Sequence, residues 1–181
     1  SAVRLGGALS RTTPGHGGIM VRRELAEKVF RKEALNCGFT EGAYLCFEED
    51  CDEPVALREL MDKFPGLNLL LDHASSPTLE DGYPYEELKP LMALSDYPGL
   101  VLKVTTVNFR KAAKGNSTPQ DFMKALREGF GAERLLWGSN FPSSEGALSE
   151  HVQMALDASR DFSDAERDAF MGGNAKRIFK L

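Results

Sequence analysis

Three short runs constrain this chain more than anything else in it. Leu67-Asn68-Leu69-Leu70-Leu71-Asp72-His73, with polar residues at its C-terminal end, Leu100-Val101-Leu102-Lys103-Val104 and Arg134-Leu135-Leu136-Trp137 are continuous apolar runs, without the polar alternation of a half-solvated strand. Strands of that kind are covered on both faces, which points to a parallel sheet with helical crossovers. Helix-period stretches lie between them: Leu57, Leu60, Met61 and Phe64 after Pro54; Leu88, Leu91, Met92 and Ser95; a segment opening at Pro119; and Leu148, Val152, Ala155 and Leu156. Thr118-Pro119-Gln120-Asp121 supplies an N-cap with proline at the first helical position. Ser163-Asp164-Ala165-Glu166 is a capping box, and Gly172-Gly173 is expected to close that helix. Upstream, Val3-Arg4-Leu5 reads as a strand end, Thr12–Gly18 as a Gly-rich loop, Leu25 to Ala34 as a helix and Ala43–Phe47 as a strand. The sum is five strand-helix units in one α/β domain over residues 1–181. An open doubly wound sheet and part of a (β/α)8 barrel both fit, and both place ligands at strand C-termini, where Asp72-His73 and Ser139-Asn140 stand. The first loop lacks the dinucleotide glycine fingerprint.

Composition removes several classes. With 181 residues, 42% of them hydrophobic and 11 Phe, the chain can bury a core and is not a disordered segment. No apolar run approaches the roughly 18–20 residues of a membrane span, and the start at Ser1 reads as the middle of a protein rather than a signal peptide. A net charge of −5 without a basic stripe makes nucleic acid and anionic membranes poor partners. The expected partner is a small-molecule substrate, and a homo-oligomer is compatible. Cys37, Cys46 and Cys51 are an odd count without zinc-finger spacing and read as reduced thiols in a cytoplasmic protein.

From about residue 64 the sequence resembles the amidohydrolase-2 family of the metal-dependent hydrolase superfamily. The resemblance rests on Phe64-Pro65 followed by Leu69-Leu70-Leu71-Asp72-His73, on Leu100 to Val104, on Arg134-Leu135-Leu136-Trp137-Gly138-Ser139-Asn140-Phe141-Pro142, and on Gly173-Asn174-Ala175-Lys176-Arg177-Ile178-Phe179. It is nearest in pattern to the lactonase-like branch. It implies a TIM-type (β/α)8 barrel in which the three apolar runs are the sixth, seventh and eighth strands, Ala43–Phe47 the fifth and Val3-Arg4-Leu5 the end of the fourth. Such barrels take about 250 residues, so the expectation is the last five units of a longer hydrolase, whose upstream part would carry the family's His-x-His pair.

The resemblance implies hydrolysis of a small carboxylated lactone, ester or amide by water attack at the barrel mouth. Non-oxidative decarboxylation of an aromatic or related acid is the alternative within the family, and a catalytically inactive binding or oligomerisation subunit the alternative outside catalysis. His73 and Asn140 are the candidate catalytic residues: histidine exchanges protons near neutrality, whereas Asn140 stands where the family has aspartate. A carboxamide offers neither basicity nor negative charge. Arg4 and Lys103 are candidates for holding substrate carboxylate, with a pairing of Lys103 to Asp72 the structural alternative. His16 is a substrate-binding candidate because its Gly-rich loop permits close backbone approach to a ligand. No metal is expected on this chain. Cys46 and Glu48 are conceivable ligands, and zinc or manganese would require the upstream pair. The acidic run Glu48 to Glu53 reads as the start of a helix.

Overall fold

A computed structural model describes the backbone of residues 4–5, 8–13, 16–48 and 52–181, and the side chains of 18–48 and 52–181. Where the sequence suggests one domain, the chain divides into two units, Ser1–Leu67 and Asn68–Leu181.

The first unit differs from expectation. β1 (Arg4–Leu5), β2 (Ala8–Thr13), β3 (His16–Arg22), β4 (Phe39–Glu41) and β5 (Tyr44–Glu48) form one sheet in the order β1-β2-β3-β5-β4. Every pairing in it is antiparallel. The described Arg4–Leu5 of the stretch Val3-Arg4-Leu5 and the strand expected at Ala43–Phe47 are therefore not strands of a parallel barrel, and Val3 lies outside the described residues. Thr13 pairs with His16, and a connection that short joins only antiparallel neighbours. Much of the stretch read as a Gly-rich loop is strand. Gly18 lies opposite Glu48, and a Cβ there would collide with the Phe47 carbonyl, so that glycine marks close backbone approach rather than a turn. Helices α1 (Arg23–Val29), α2 (Lys32–Leu35) and α3 (Glu53–Lys63) complete the unit. Leu45, Cys46 and Phe47 are buried together with Ala56, Leu57 and Leu60 of α3.

The second unit carries the expected α/β pattern. β6 (Leu69–Leu71), β7 (Leu100–Thr105) and β8 (Leu135–Gly138) form a parallel sheet in that order, with Leu71 opposite Leu102 and Leu102 opposite Leu135. Among the described residues, three parallel strands stand where five were expected. α4 (Lys89–Met92) lies between β6 and β7; α5 (Thr106–Ala112) and α6 (Pro119–Phe130) lie between β7 and β8. α7 (Leu148–Ala158), α8 (Asp164–Asp168) and α9 (Asn174–Phe179) follow β8.

Alternation along β7 sorts the two faces. Leu100, Leu102 and Val104 are fully buried, as are Phe122, Met123 and Leu126 of α6 and Phe109 of α5. Val101 and Lys103 point to the other face and are only partly covered, and Leu70 beside Val101 is 41% exposed. The capping signals hold: Thr118 accepts from the Asp121 amide at 3.1 Å, and Ser163 from the Glu166 amide at 3.3 Å. Gly172-Gly173 interrupts the helix as expected, about a turn beyond the end of α8. The helical path is broken at Gly172, whose φ of 176° and ψ of −24° are non-helical, and α9 starts at Asn174 beyond that kink. Among the described residues, no helix is long and apolar enough to cross a membrane.

Candidate active site

The carboxyl ends of β6, β7 and β8 bring together the residues with chemistry. β6 stops at Leu71, and the next residues form a tight hook in which His73, Ala74, Ser75 and Ser76 take positive φ, between 47° and 61°. Each non-glycine residue so placed costs about 1–3 kcal/mol and persists only where its surroundings enforce it. Here the enforcement is visible. The Ser76 amide donates to the His73 carbonyl at 2.8 Å, and Lys111 Nζ of α5 donates to the Ser76 carbonyl at 2.9 Å and to its hydroxyl at 3.2 Å. Asn108 Nδ2, also on α5, donates to the His73 carbonyl at 2.7 Å.

The hook turns the His73 ring toward β7. Its Nδ1 is 2.8 Å from Thr105 Oγ1, while its Nε2 is 3.7 Å from Asp72 Oδ1, beyond hydrogen-bond reach. Asp72 accepts from the His73 amide at 2.8 Å and pairs with Lys103 Nζ at 2.7 Å. The side chains of Lys103 and Asp72 are 30% and 47% exposed, so the pair lies at the rim. Gly138 of β8 makes room for it, since a Cβ there would stand 3.0–3.2 Å from the Lys103 methylenes.

Thr105 ends β7 and is at once the N-cap of α5, with no loop between them. Its amide donates to Asn108 Oδ1 at 2.9 Å, and its hydroxyl lies 3.2 Å from the same oxygen. Thr105, Thr106 and Asn108 are fully buried. At the tip of β8, Thr106 Oγ1 donates to the Ser139 carbonyl at 3.1 Å. Asn140 takes φ 55°, a conformation asparagine tolerates, and its Nδ2 donates to Ser144 Oγ at 2.9 Å. His73 and Asn140 thus occupy one edge of one sheet, two strands apart, a separation of roughly 10 Å between strand axes.

Of the residues singled out from sequence, the structure gathers His73, Lys103 and Asn140 at this edge. Arg4 and His16 belong to β1 and β3 of the first unit, and their side chains lie outside the described residues. Cys46 is buried in β5 and Glu48 is exposed at its end. Thr105, Asn108, Lys111 and Ser144 escaped the sequence reading. A readable signal existed for two of them: Thr105-x-x-Asn108 directly after an apolar run is a helix-start pattern. At the β6 tip Asp72 and His73 are of ligating type, but Asp72 carries Lys103. Among the described residues no three His, Cys, Asp or Glu cluster closely enough to hold a metal ion. Asp72 and His73 by themselves do not make up a metal site.

The model of the amidohydrolase family Amidohydro_2 matches residues 48–181. An L-fucono-1,5-lactonase of Burkholderia ambifaria is 24% identical over 135 residues, covering 70% of this chain and 46% of that protein. A structure from Pseudomonas putida, provisionally assigned as a 2-pyrone-4,6-dicarboxylic acid hydrolase, is 27% identical with a TM-score of 0.56, covering 71% of this chain and 48% of that one. An amidohydrolase of Burkholderia multivorans, solved with bound zinc, is 24% identical with a TM-score of 0.53, covering 71% and 50%. The chain spans about half the length of these relatives. The solved relatives share the TIM-barrel fold, to which the three parallel strand-helix units of this chain correspond.

Proposed function

The chain belongs to the amidohydrolase family, and from that premise we propose that it acts in hydrolysis of a small carboxylated cyclic ester. The observation that carries the reading is the His73 imidazole at the carboxyl edge, with one nitrogen engaged by buried Thr105 and the other without a hydrogen bond among the described residues. Lactones and pyrones, named in two of the relatives, are both cyclic esters.

Water attacks the ester carbonyl and gives up a proton to His73 Nε2. A carbon–oxygen bond forms, the ring carbon–oxygen bond breaks, and the proton returns to the departing alkoxide, leaving a hydroxy acid. His73 takes the base role because Asn140 cannot; Asn140 instead offers its amide to the substrate carbonyl. Lys103 has three ammonium protons, and Asp72 does not use them all, so one remains for a substrate carboxylate.

The test is a panel of aldonolactones and pyrone carboxylic acids followed by acid release, with aryl acids followed for carbon dioxide. Hydrolysis that drops about 10²–10⁴-fold in His73→Gln supports the reading. Carbon dioxide release without ester hydrolysis would replace it with decarboxylation. One observation favours a second reading, a subunit that binds without turnover: the carboxamide of Asn140 at the family's aspartate position. Binding of a panel member with no product from any would establish that one.

A further inference from the structure

We propose that Asn108, acting through the Thr105 hydroxyl, is a positioning residue that fixes the proton of the His73 ring on Nδ1 and leaves Nε2 as a bare lone pair. The argument runs along one chain of hydrogen bonds whose direction is set at its buried end. Asn108 Nδ2 lies 2.7 Å from the His73 carbonyl, which only accepts, so that end of the amide is the donor. The other end is then the oxygen, as the Thr105 amide donating to it at 2.9 Å requires independently. A carbonyl-type oxygen cannot donate, so the Thr105 hydroxyl 3.2 Å away turns its single proton toward it. Thr105 Oγ1 then has only lone pairs for its second neighbour, His73 Nδ1 at 2.8 Å, and the ring must be the donor.

Asn108 and Thr105 are wholly buried, so no solvent exchange offers the hydroxyl another partner. The opposite tautomer would make Thr105 donate to Nδ1 and give up its bond to Asn108. Its Nε2–H would face Asp72 Oδ1 at 3.7 Å, too far to replace that bond, and Lys103 already occupies the carboxylate. One buried hydrogen bond separates the two arrangements, a ratio of roughly five- to tenfold in favour of Nδ1–H. The catalytic meaning of this arrangement rests on the reading of His73 as base; the tautomer itself does not.

The test therefore needs no turnover. The 181-residue chain is labelled with 15N-histidine and its long-range proton–nitrogen spectrum recorded at about pH 9, where histidine rings are neutral. The His73 signals are identified by their loss in His73→Gln. The expected pattern is a protonated, pyrrole-type Nδ1 and an unprotonated, pyridine-type Nε2. Thr105→Val, which removes the acceptor, should lower the Nδ1–H to Nε2–H ratio at least about tenfold. Asn108→Ala, which frees the hydroxyl to donate to the ring, should lower it roughly five- to tenfold, and Thr105→Ser should leave it as in the wild type. A wild-type ring protonated on Nε2 overturns the proposal without any variant. A wild-type Nδ1–H that stays unchanged in Thr105→Val or Asn108→Ala overturns the positioning role. Should Thr105→Val not fold, Asn108→Ala decides that role alone. Should neither fold, Thr105→Ser decides it: an unchanged ring sustains the role, and a lost Nδ1–H overturns it. Esterase activity with the wrong tautomer, or the right tautomer without activity, separates this inference from the proposed function.

Discussion

Asn174 gives the sharpest measure of how this fold is held. It opens α9, is nearly fully buried, and its Nδ2 donates to the Ala132 carbonyl at 2.8 Å and to the Leu135 carbonyl at 2.9 Å. One amide thus pins the last helix to the entry of β8. Asn174→Ala removes both donors and leaves two buried acceptors short of a partner, at about 1–3 kcal/mol each. Carbonyls tolerate partial satisfaction better than amides, so the expected loss is about 2–4 kcal/mol, a large part of the about 5–15 kcal/mol a domain commonly has. Asn174→Asp tests the mechanism rather than the volume. It keeps the shape, has no donor at neutral pH and turns a negative charge on two carbonyls, so it should cost at least as much as alanine. The two carbonyls raise the folded pKa of the new carboxyl above its unfolded value, and the exposed Arg177 guanidinium, 3.3 Å from the Asn174 oxygen, offsets part of that rise. Its penalty is greatest above that folded value and shrinks as pH falls toward the unfolded value of about 4. Urea unfolding followed by Trp137, the one tryptophan, reports on this unit. Losses under about 1 kcal/mol in both variants with an unchanged denaturant slope would refute the clamp, as would an aspartate penalty that does not move with pH.

Three further expectations can be checked in the same way. Tyr85 is buried, and desolvation raises its pKa above 10.0, with the Ser117 hydrogen bond opposing and Asp121 and Asp81 adding to the rise. Its contribution is complete below pH 10 and is lost as pH climbs toward the folded value, so Tyr85→Phe should flatten the alkaline limb of a melting-temperature profile. Ser163 holds the Glu166 carboxyl below 4.5 through its amide and hydroxyl, so the cap contributes above that pH and fades as pH falls through the folded value. Ser163→Ala should cost about 0.5–2 kcal/mol at neutral pH and less in acid, read by denaturant titration. Lys103→Met removes a rim charge and should change stability by less than about 1 kcal/mol, while raising KM for carboxylated substrates roughly 10–100-fold.

The second unit was legible because its strands advertise themselves. Leu100, Leu102 and Val104 are buried under helices, Phe122, Met123 and Leu126 recur at helical spacing, and the caps at Thr118 and Ser163 stand where the sequence puts them. The first unit misled because a run such as Ala43–Phe47 fits a parallel strand and an antiparallel one equally well; the pairing of Thr13 with His16 that decides between them is not written in composition. Gly17 and Gly18 read as a loop because glycine signals both turns and close backbone approach. At the site, His73 and Asn140 were visible from their place after apolar runs. The left-handed hook was not, since Ala74, Ser75 and Ser76 carry no signal for positive φ. That conformation is imposed by Asn108 and Lys111, more than thirty residues away in sequence.

Four side chains of α5 each reach a backbone carbonyl of a neighbouring loop, Lys111 adding the Ser76 hydroxyl. Asn108 and Lys111 reach the His73 and Ser76 carbonyls on the β6 side, and Thr106 and Arg110 reach the Ser139 and Glu145 carbonyls on the β8 side. Side chains that grip backbone carbonyls fix the path of a loop while leaving the identity of its residues free. Asn140 lies within the segment so held, at a φ that asparagine and aspartate both tolerate. Its one described side-chain bond, to Ser144 Oγ, survives the exchange, because the hydroxyl can turn from accepting to donating. Asn140→Asp should therefore be nearly silent in stability, within about 0.5 kcal/mol, yet it introduces a base. If deprotonation of water limits turnover, hydrolysis should rise by up to about 10²–10⁴-fold. A matched pair of unfolding curves and a rate assay reads both. A large stability change would mean that the loop path depends on the carboxamide. Equal rates at equal stability would leave His73 as the group that moves the proton.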